Sequence, residues 1–168
     1  AAEVEALRSE ILAAPPPREQ VLTELSEMRA RISAAKGRGD AWDPKLGRGR
    51  MQDIELLSQA GSLLSGQAPR STIRGLAAAA RQGWLPKAAS EQLAATYRLC
   101  WSLQIGARLI TQGRLDPESL GVGGCAFLTR LTGTEGPDDL SARLATMTAE
   151  ASGHIDAALA EVEGTSGG

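Results

Sequence analysis

At 168 residues, with a net charge of -2 and a pI near 5.5, the chain is long enough for one domain with a real core and does not read as a nucleic-acid binder. Ala and Leu dominate, Val and Ile are few and aromatics make up only 3%, a balance that favours helix over sheet. No apolar run is long enough to cross a bilayer, and the acidic N-terminus lacks the layout of a signal peptide, so a cytoplasmic protein is expected.

Val4, Leu7 and Ile11 recur at helical spacing until Pro15, Pro16 and Pro17 stop the first helix. The chain opens on Ala1 inside that periodicity, which suits a piece of something longer. Leu22, Leu25, Met28 and Ile32 mark a second helix that runs out at Gly37 and Gly39. A loop follows to about Gly49. The third helix carries Ile54, Leu57 and Leu64 on one face and ends at Gly66. Ser71 is a good N-cap for a short fourth helix that stops near Gly83.

The fifth helix spans about residues 86–113. It is apolar almost all round, through Leu93, Tyr97, Leu99, Cys100, Trp101, Leu103, Ile105 and Leu109, so it is expected at the centre of a bundle. A shorter helix lies near residues 125–131. The last, over about 138–163, repeats Leu140, Leu144, Met147, Ala151, Ile155, Ala158 and Val162 in threes and fours. No segment alternates in strand fashion, and no repeat is present. The expected fold is an all-α bundle of six to seven helices with a long central helix, one domain over residues 1–163. Residues 164–168 read as a disordered tail.

The chemistry concentrates in one segment. From Arg29 to Arg50 seven basic residues (Arg29, Arg31, Lys36, Arg38, Lys45, Arg48 and Arg50) face only Asp40 and Asp43, a net of +5 that leaves -7 for the remainder. A positive patch on an acidic protein suits a phosphate or an acidic partner, although solvated charge alone also produces such a stretch. Gly47 and Gly49 let the backbone bend, and the helix behind them offers N–H groups and the positive end of its dipole to an anion. The segment is neither a Walker A loop nor a dinucleotide fingerprint. Asp53 and Glu55 sit about 200° apart on a helix and cannot converge on one ligand. Asp53 suits the first-turn dipole.

The remaining candidates have plainer readings. His154, the only histidine, is read as structural, since no nucleophile or carboxylate pattern points at it. Trp42, Trp84 and Trp101 read as anchors, with Trp42 set apart because it enters the loop. Cys100 and Cys125 read as reduced core residues. No catalytic or metal-binding constellation is assigned.

The stretch WDPKLGRGRMQDIELLSQ, residues 42–59, resembles the signature that follows the nucleotidyltransferase domain in glutamine synthetase adenylyltransferases. In that family an aromatic-Asp-x-Lys start leads through a glycine-rich turn to Asp-Ile-Glu-apolar-x-x-Gln. Trp42, Asp43, Lys45, Gly49, Asp53, Ile54, Glu55 and Gln59 occupy those places. The segments EMRARI at 27–32 and GWLPKAASEQLAATYRL at 83–99 also resemble family helices, and the similarity covers about residues 20–159. One place departs: where the family usually has a second glycine after Gly49, this chain has Arg50. GSLLSG at 61–66 is not the family's glycine-serine motif, which precedes its carboxylates, whereas here it follows them.

The resemblance implies a helical domain within an enzyme of two similar halves. One half attaches AMP from ATP to a tyrosine of glutamine synthetase, and the other removes it by phosphorolysis. PII signalling proteins and glutamine control the balance. The glycine-serine tail assigns this chain to the C-terminal, adenylylating half. ATP and Mg2+ are implied for the intact enzyme, with the metal-binding carboxylates in a preceding nucleotidyltransferase domain, and neither is expected bound to this fragment. The implied partners are that domain, glutamine synthetase and a PII protein, with no nucleic acid or membrane.

On this reading the nucleotide-proximal residues are Lys45, Gly47, Gly49, Arg50, Asp53, Glu55 and Gln59. Lys45 and Arg50 would offset phosphate charge, Gly47 and Gly49 would allow close approach, and Asp53 and Glu55 would fix the loop. A docking module for glutamine synthetase or a PII protein is the alternative, and an exposed apolar patch near residues 122–128 would favour it. A structural spacer is the third possibility, in which the loop residues are buried and satisfied among themselves.

Overall fold

In the computed structural model, which describes residues 2–14, 16–36, 41–67, 69–111 and 115–160, the chain forms an all-α bundle. The described residues contain seven helices and no strand: α1 (Ala2–Ala13), α2 (Arg18–Lys36), α3 (Met51–Ser65), α4 (Thr72–Arg81), α5 (Lys87–Ile110), α6 (Gly121–Thr132) and α7 (Pro137–Ala160). Gly37, Gly39 and the 164–168 tail lie outside the described residues.

Local chemistry sets most of the boundaries. Gly66 takes the left-handed conformation at φ 62° and returns its N–H to the Leu63 carbonyl, ending α3. The Ser71 hydroxyl accepts the Arg74 N–H at 3.4 Å and starts α4. α6 begins four residues earlier than its apolar residues suggest, through Gly121, Gly123 and Gly124.

Two apolar clusters make the core. The first joins Leu22 and Leu25 of α2, Ile54 and Leu57 of α3, Leu76 of α4, Leu93 of α5, and Ala151 and Ile155 of α7. The second joins Trp42, Met51, Leu99, Cys100, Leu103, Leu128, Leu140 and Leu144. α5 and α7 therefore run antiparallel through both. The N-terminal half of α5 meets the C-terminal half of α7, and the reverse holds at the other end. Midway, the Met147 carbonyl of α7 accepts from the Gln92 side-chain amide at 3.1 Å and the Thr96 hydroxyl at 3.3 Å. α3 and α4 approach closely at Gly75, where a β-carbon would stand 2.0 Å from Ser58 Oγ.

The all-round apolar pattern of α5 places its C-terminal half differently from the expectation. Leu99, Cys100 and Leu103 are buried, but Trp101, Ile105 and Leu109 look outward, and Leu109 is 71% exposed. These three recur every fourth residue and form an apolar stripe on the side away from the core. Val4 and Leu7 of α1 are exposed as well. No helix among the described residues is long and apolar enough to cross a membrane.

Candidate functional site

The basic loop, residues 41–50, is a folded object. Trp42 is fully buried in the second cluster, and its indole N–H donates to Ser141 Oγ of α7 at 2.7 Å. It anchors the loop. Asp43 Oδ1 accepts the N–H groups of Lys45 at 2.8 Å and Leu46 at 3.0 Å, a local turn. The Arg50 guanidinium donates to the carbonyls of Asp43 and, at 3.3 Å, Ala41. These bonds fold the loop back on itself.

The first two N–H groups of α3 are already taken. Met51 N–H donates to the Pro44 carbonyl and Gln52 N–H to the Lys45 carbonyl, each at 3.2 Å. Two of the N–H groups at the helix end expected to face an anion therefore bond the loop's own backbone, because the chain doubles back over it. Asp53, in the first turn, accepts the Gly49 N–H at 2.7 Å and ties loop to helix.

Gly49 has φ 69° and is buried. A β-carbon there would stand 1.9 Å from the Thr148 carbonyl oxygen and 2.8 Å from the Ser152 nitrogen. Its lack of a side chain serves a close approach between the loop and α7. Gly47, at φ 131°, is exposed, and a β-carbon there would meet only the Arg50 side chain.

Four charged side chains then lock three helices and the loop together. Arg29 of α2 reaches both oxygens of Asp53, Nε to Oδ1 at 2.5 Å and Nη2 to Oδ2 at 2.9 Å. Its Nη1 donates to Asp156 Oδ1 of α7 at 2.9 Å. Arg48 Nη2 donates to both oxygens of Asp156, at 2.7 and 2.5 Å, and Arg48 Nε to Ser152 Oγ at 3.1 Å. Burial opposes the charge on Arg29, yet Asp53 and Asp156 outweigh it and hold its pKa above the ordinary value. For Asp156, burial pushes the carboxyl up, but Arg29 and Arg48 win and keep it below the usual range.

Asp53 and Glu55 diverge, as their spacing requires. Glu55 accepts the Tyr97 hydroxyl of α5 at 2.9 Å and does not join the arginines in that network. Burial first, then Glu55, pushes the Tyr97 phenol up. Lys45 and Gln59 are exposed.

Between α2, the loop, α3 and α7 opens a cleft of about 990 Å3. Arg29, Gly47, Arg48, Arg50, Gln52, Asp53 and Asp156 line it, and no lining residue comes from α5 or α6. The Gln52 side-chain oxygen is buried with no donor among the described residues. Of the residues expected from the sequence, Gly47, Arg50 and Asp53 reach this cleft, while Lys45, Gly49, Glu55 and Gln59 do not line it. Arg29 and Arg48, members of the expected basic patch, and Ser152 and Asp156, which were not expected, complete the arrangement. Nothing local marks Asp156, which lies 108 residues from Arg48.

The loop and its clasp define an all-α module built to hold a cationic turn in one fixed geometry. The chain belongs to the GlnD PII-uridylyltransferase family, whose model matches residues 26–159. The bifunctional glutamine synthetase adenylyltransferase/adenylyl-removing enzyme of Bradyrhizobium diazoefficiens is 34% identical over 106 residues, covering 60% of this chain and 11% of that protein. The enzyme of the same name from Mesorhizobium japonicum is 30% identical over 135 residues, covering 78% of this chain and 14% of that protein. The one from Rhodopseudomonas palustris BisB5 is 32% identical over 106 residues, again 60% and 11%. These relatives uphold the resemblance drawn from the loop and α3. The chain spans only 11–14% of their length. No solved structure matches.

Proposed function

We propose that this chain is the helical domain of an enzyme that transfers AMP from ATP to a tyrosine of glutamine synthetase. The loop would flank a nucleotide held by a preceding nucleotidyltransferase domain, in the adenylylating half. One observation carries this reading: the loop is fixed by Trp42 and by Asp53, itself held by Arg29, while Lys45 remains exposed. A cation on a preorganised turn can offset phosphate charge without reorganising during the reaction. Nucleotidyl transfer depends on such positioning. A spacer would have no use for an exposed lysine on an immobilised loop.

Lys45 supplies charge at the outer face, and Arg50, Gly47 and Gln52 shape the cleft side. Gln59 stays on the exposed face of α3 beyond them. Asp53 and Asp156 face guanidinium groups, a donor set that does not suit a divalent cation. Mg2+ would therefore sit on carboxylates of the preceding domain.

Lys45→Ala in the full-length enzyme tests the proposal. The expected result is a raised KM for ATP with an unchanged melting temperature, and unchanged kinetics would remove the ligand role.

A second reading has its own observation. The outward stripe of Trp101, Ile105 and Leu109, with Leu131 of α6 also exposed, is the kind of apolar face a docking module for glutamine synthetase or a PII protein would use. Val122 is 89% exposed, but Leu128 is fully buried, so the 122–128 stretch is not a patch by itself. Leu109→Glu would abolish partner capture on this reading and leave ATP use intact.

A further inference from the structure

We infer that Arg48 is an exchangeable cation, resting on Asp156 and passing to a phosphate when a nucleoside triphosphate enters the cleft. This rests on the nucleotide reading above and assigns a residue which that reading did not use.

Of the three ion pairs of the clasp, Arg29–Asp53 and Arg48–Asp156 differ most. Arg29 and Asp53 have side chains 12% and 9% exposed, and their pairing is bidentate. Separating them would leave charge stranded in the interior. Arg48 and Asp156 are 63% and 46% exposed. A pair so open to water holds weakly, because solvent screens it and two long side chains must be ordered. Asp156 also keeps its bond from Arg29 when Arg48 leaves, so release orphans nothing.

The other loop cations are less suited to the cleft. Arg50 is held by the carbonyls of Asp43 and Ala41. Lys45 does not line the cleft, whereas Arg48 does. The Arg48 backbone need not move, since the next residue is fixed by the bond from Gly49 N–H to Asp53. Only the guanidinium swings. A phosphate carries more charge than a carboxylate already shared with Arg29, and its oxygens match the guanidinium fork.

Calorimetric titration of the full-length enzyme with ATP, inorganic tripolyphosphate and adenosine tests this. Asp156→Asn removes the internal competitor and is expected to tighten ATP and tripolyphosphate binding about two- to fivefold. Ser152→Ala, which frees Arg48 Nε, should act in the same direction and covers the case in which Asp156→Asn folds poorly. Arg48→Ala should weaken both phosphate ligands about tenfold or more and cancel the gain from Asp156→Asn. Adenosine should respond to none of the three. Unchanged or weaker phosphate binding in both Asp156→Asn and Ser152→Ala overturns the exchange, as does the absence of binding in every form. If only Lys45→Ala weakens ATP binding, the exchange is wrong and the nucleotide reading stands. If no substitution has an effect, both fall.

Discussion

Gly49 and Thr148 are in backbone contact: a β-carbon on the first would lie 1.9 Å from the carbonyl oxygen of the second. The loop is seated on α7 through this point, and the positive φ of Gly49 adds a conformational demand that L-residues meet poorly. Gly49→Ala should therefore lower stability by about 3 kcal/mol or more, through both the clash and the left-handed geometry. Thermal melting should show a fall of roughly 6–12 °C. Gly47→Ala should cost less, because a β-carbon there meets only the flexible Arg50 side chain.

The Arg29–Asp53 pair ties α2 to the start of α3. Asp53→Ala leaves Arg29 without its main partner and the Gly49 N–H without an acceptor, and should cost about 3–5 kcal/mol in urea denaturation. Arg29→Met combined with Asp53→Leu should recover part of that loss, since apolar residues of similar volume leave no stranded charge.

The Cys100 thiol has its pKa pushed up to about 11 from an ordinary 9.0, chiefly by burial. A raised folded-state pKa means its contribution is complete below pH 9 and is lost as pH rises towards 11. Stability should fall by roughly 2–3 kcal/mol over that window, and Cys100→Ala should flatten the slope. At pH 8 iodoacetamide should label half-buried Cys125 first, with Cys100 reacting only on unfolding.

Asp156 behaves oppositely. Its carboxyl lies below the ordinary 3.8, because Arg29 and Arg48 overcome the effect of burial. Its contribution is present above the ordinary value and disappears as pH falls through the lower folded one. Protection of the Arg48 side-chain Nε–H, relative to its intrinsic exchange rate, should therefore fall at acid pH before the global melt begins. Asp156→Asn should show low protection there at neutral pH. Equal protection in the two proteins would mean that Asp156 does not hold the Arg48 guanidinium.

Local signals were readable in the sequence and long-range ones were not. Gly66 and Ser71 act on their immediate neighbours, and both ended or started helices where expected. Asp53 was legible as a first-turn acid, but its partner Arg29 lies on another helix. Ser152 and Asp156 look like ordinary polar positions on α7, and only the closing of the bundle brings them to the loop. The glycines of α6 hid its start, because a glycine-rich stretch usually breaks a helix and here the buried Leu128 and its neighbours override that preference. Periodicity marked α5 as apolar all round, yet it carries no information on which side lacks a neighbour.

α5 and α7 each pass through both apolar clusters. Cutting either one midway would strip wall material from both chambers at once. From α2 onward the bundle therefore offers no seam at which it could be divided, and a truncation series through the last helix should end in all-or-none loss of structure, with no surviving half.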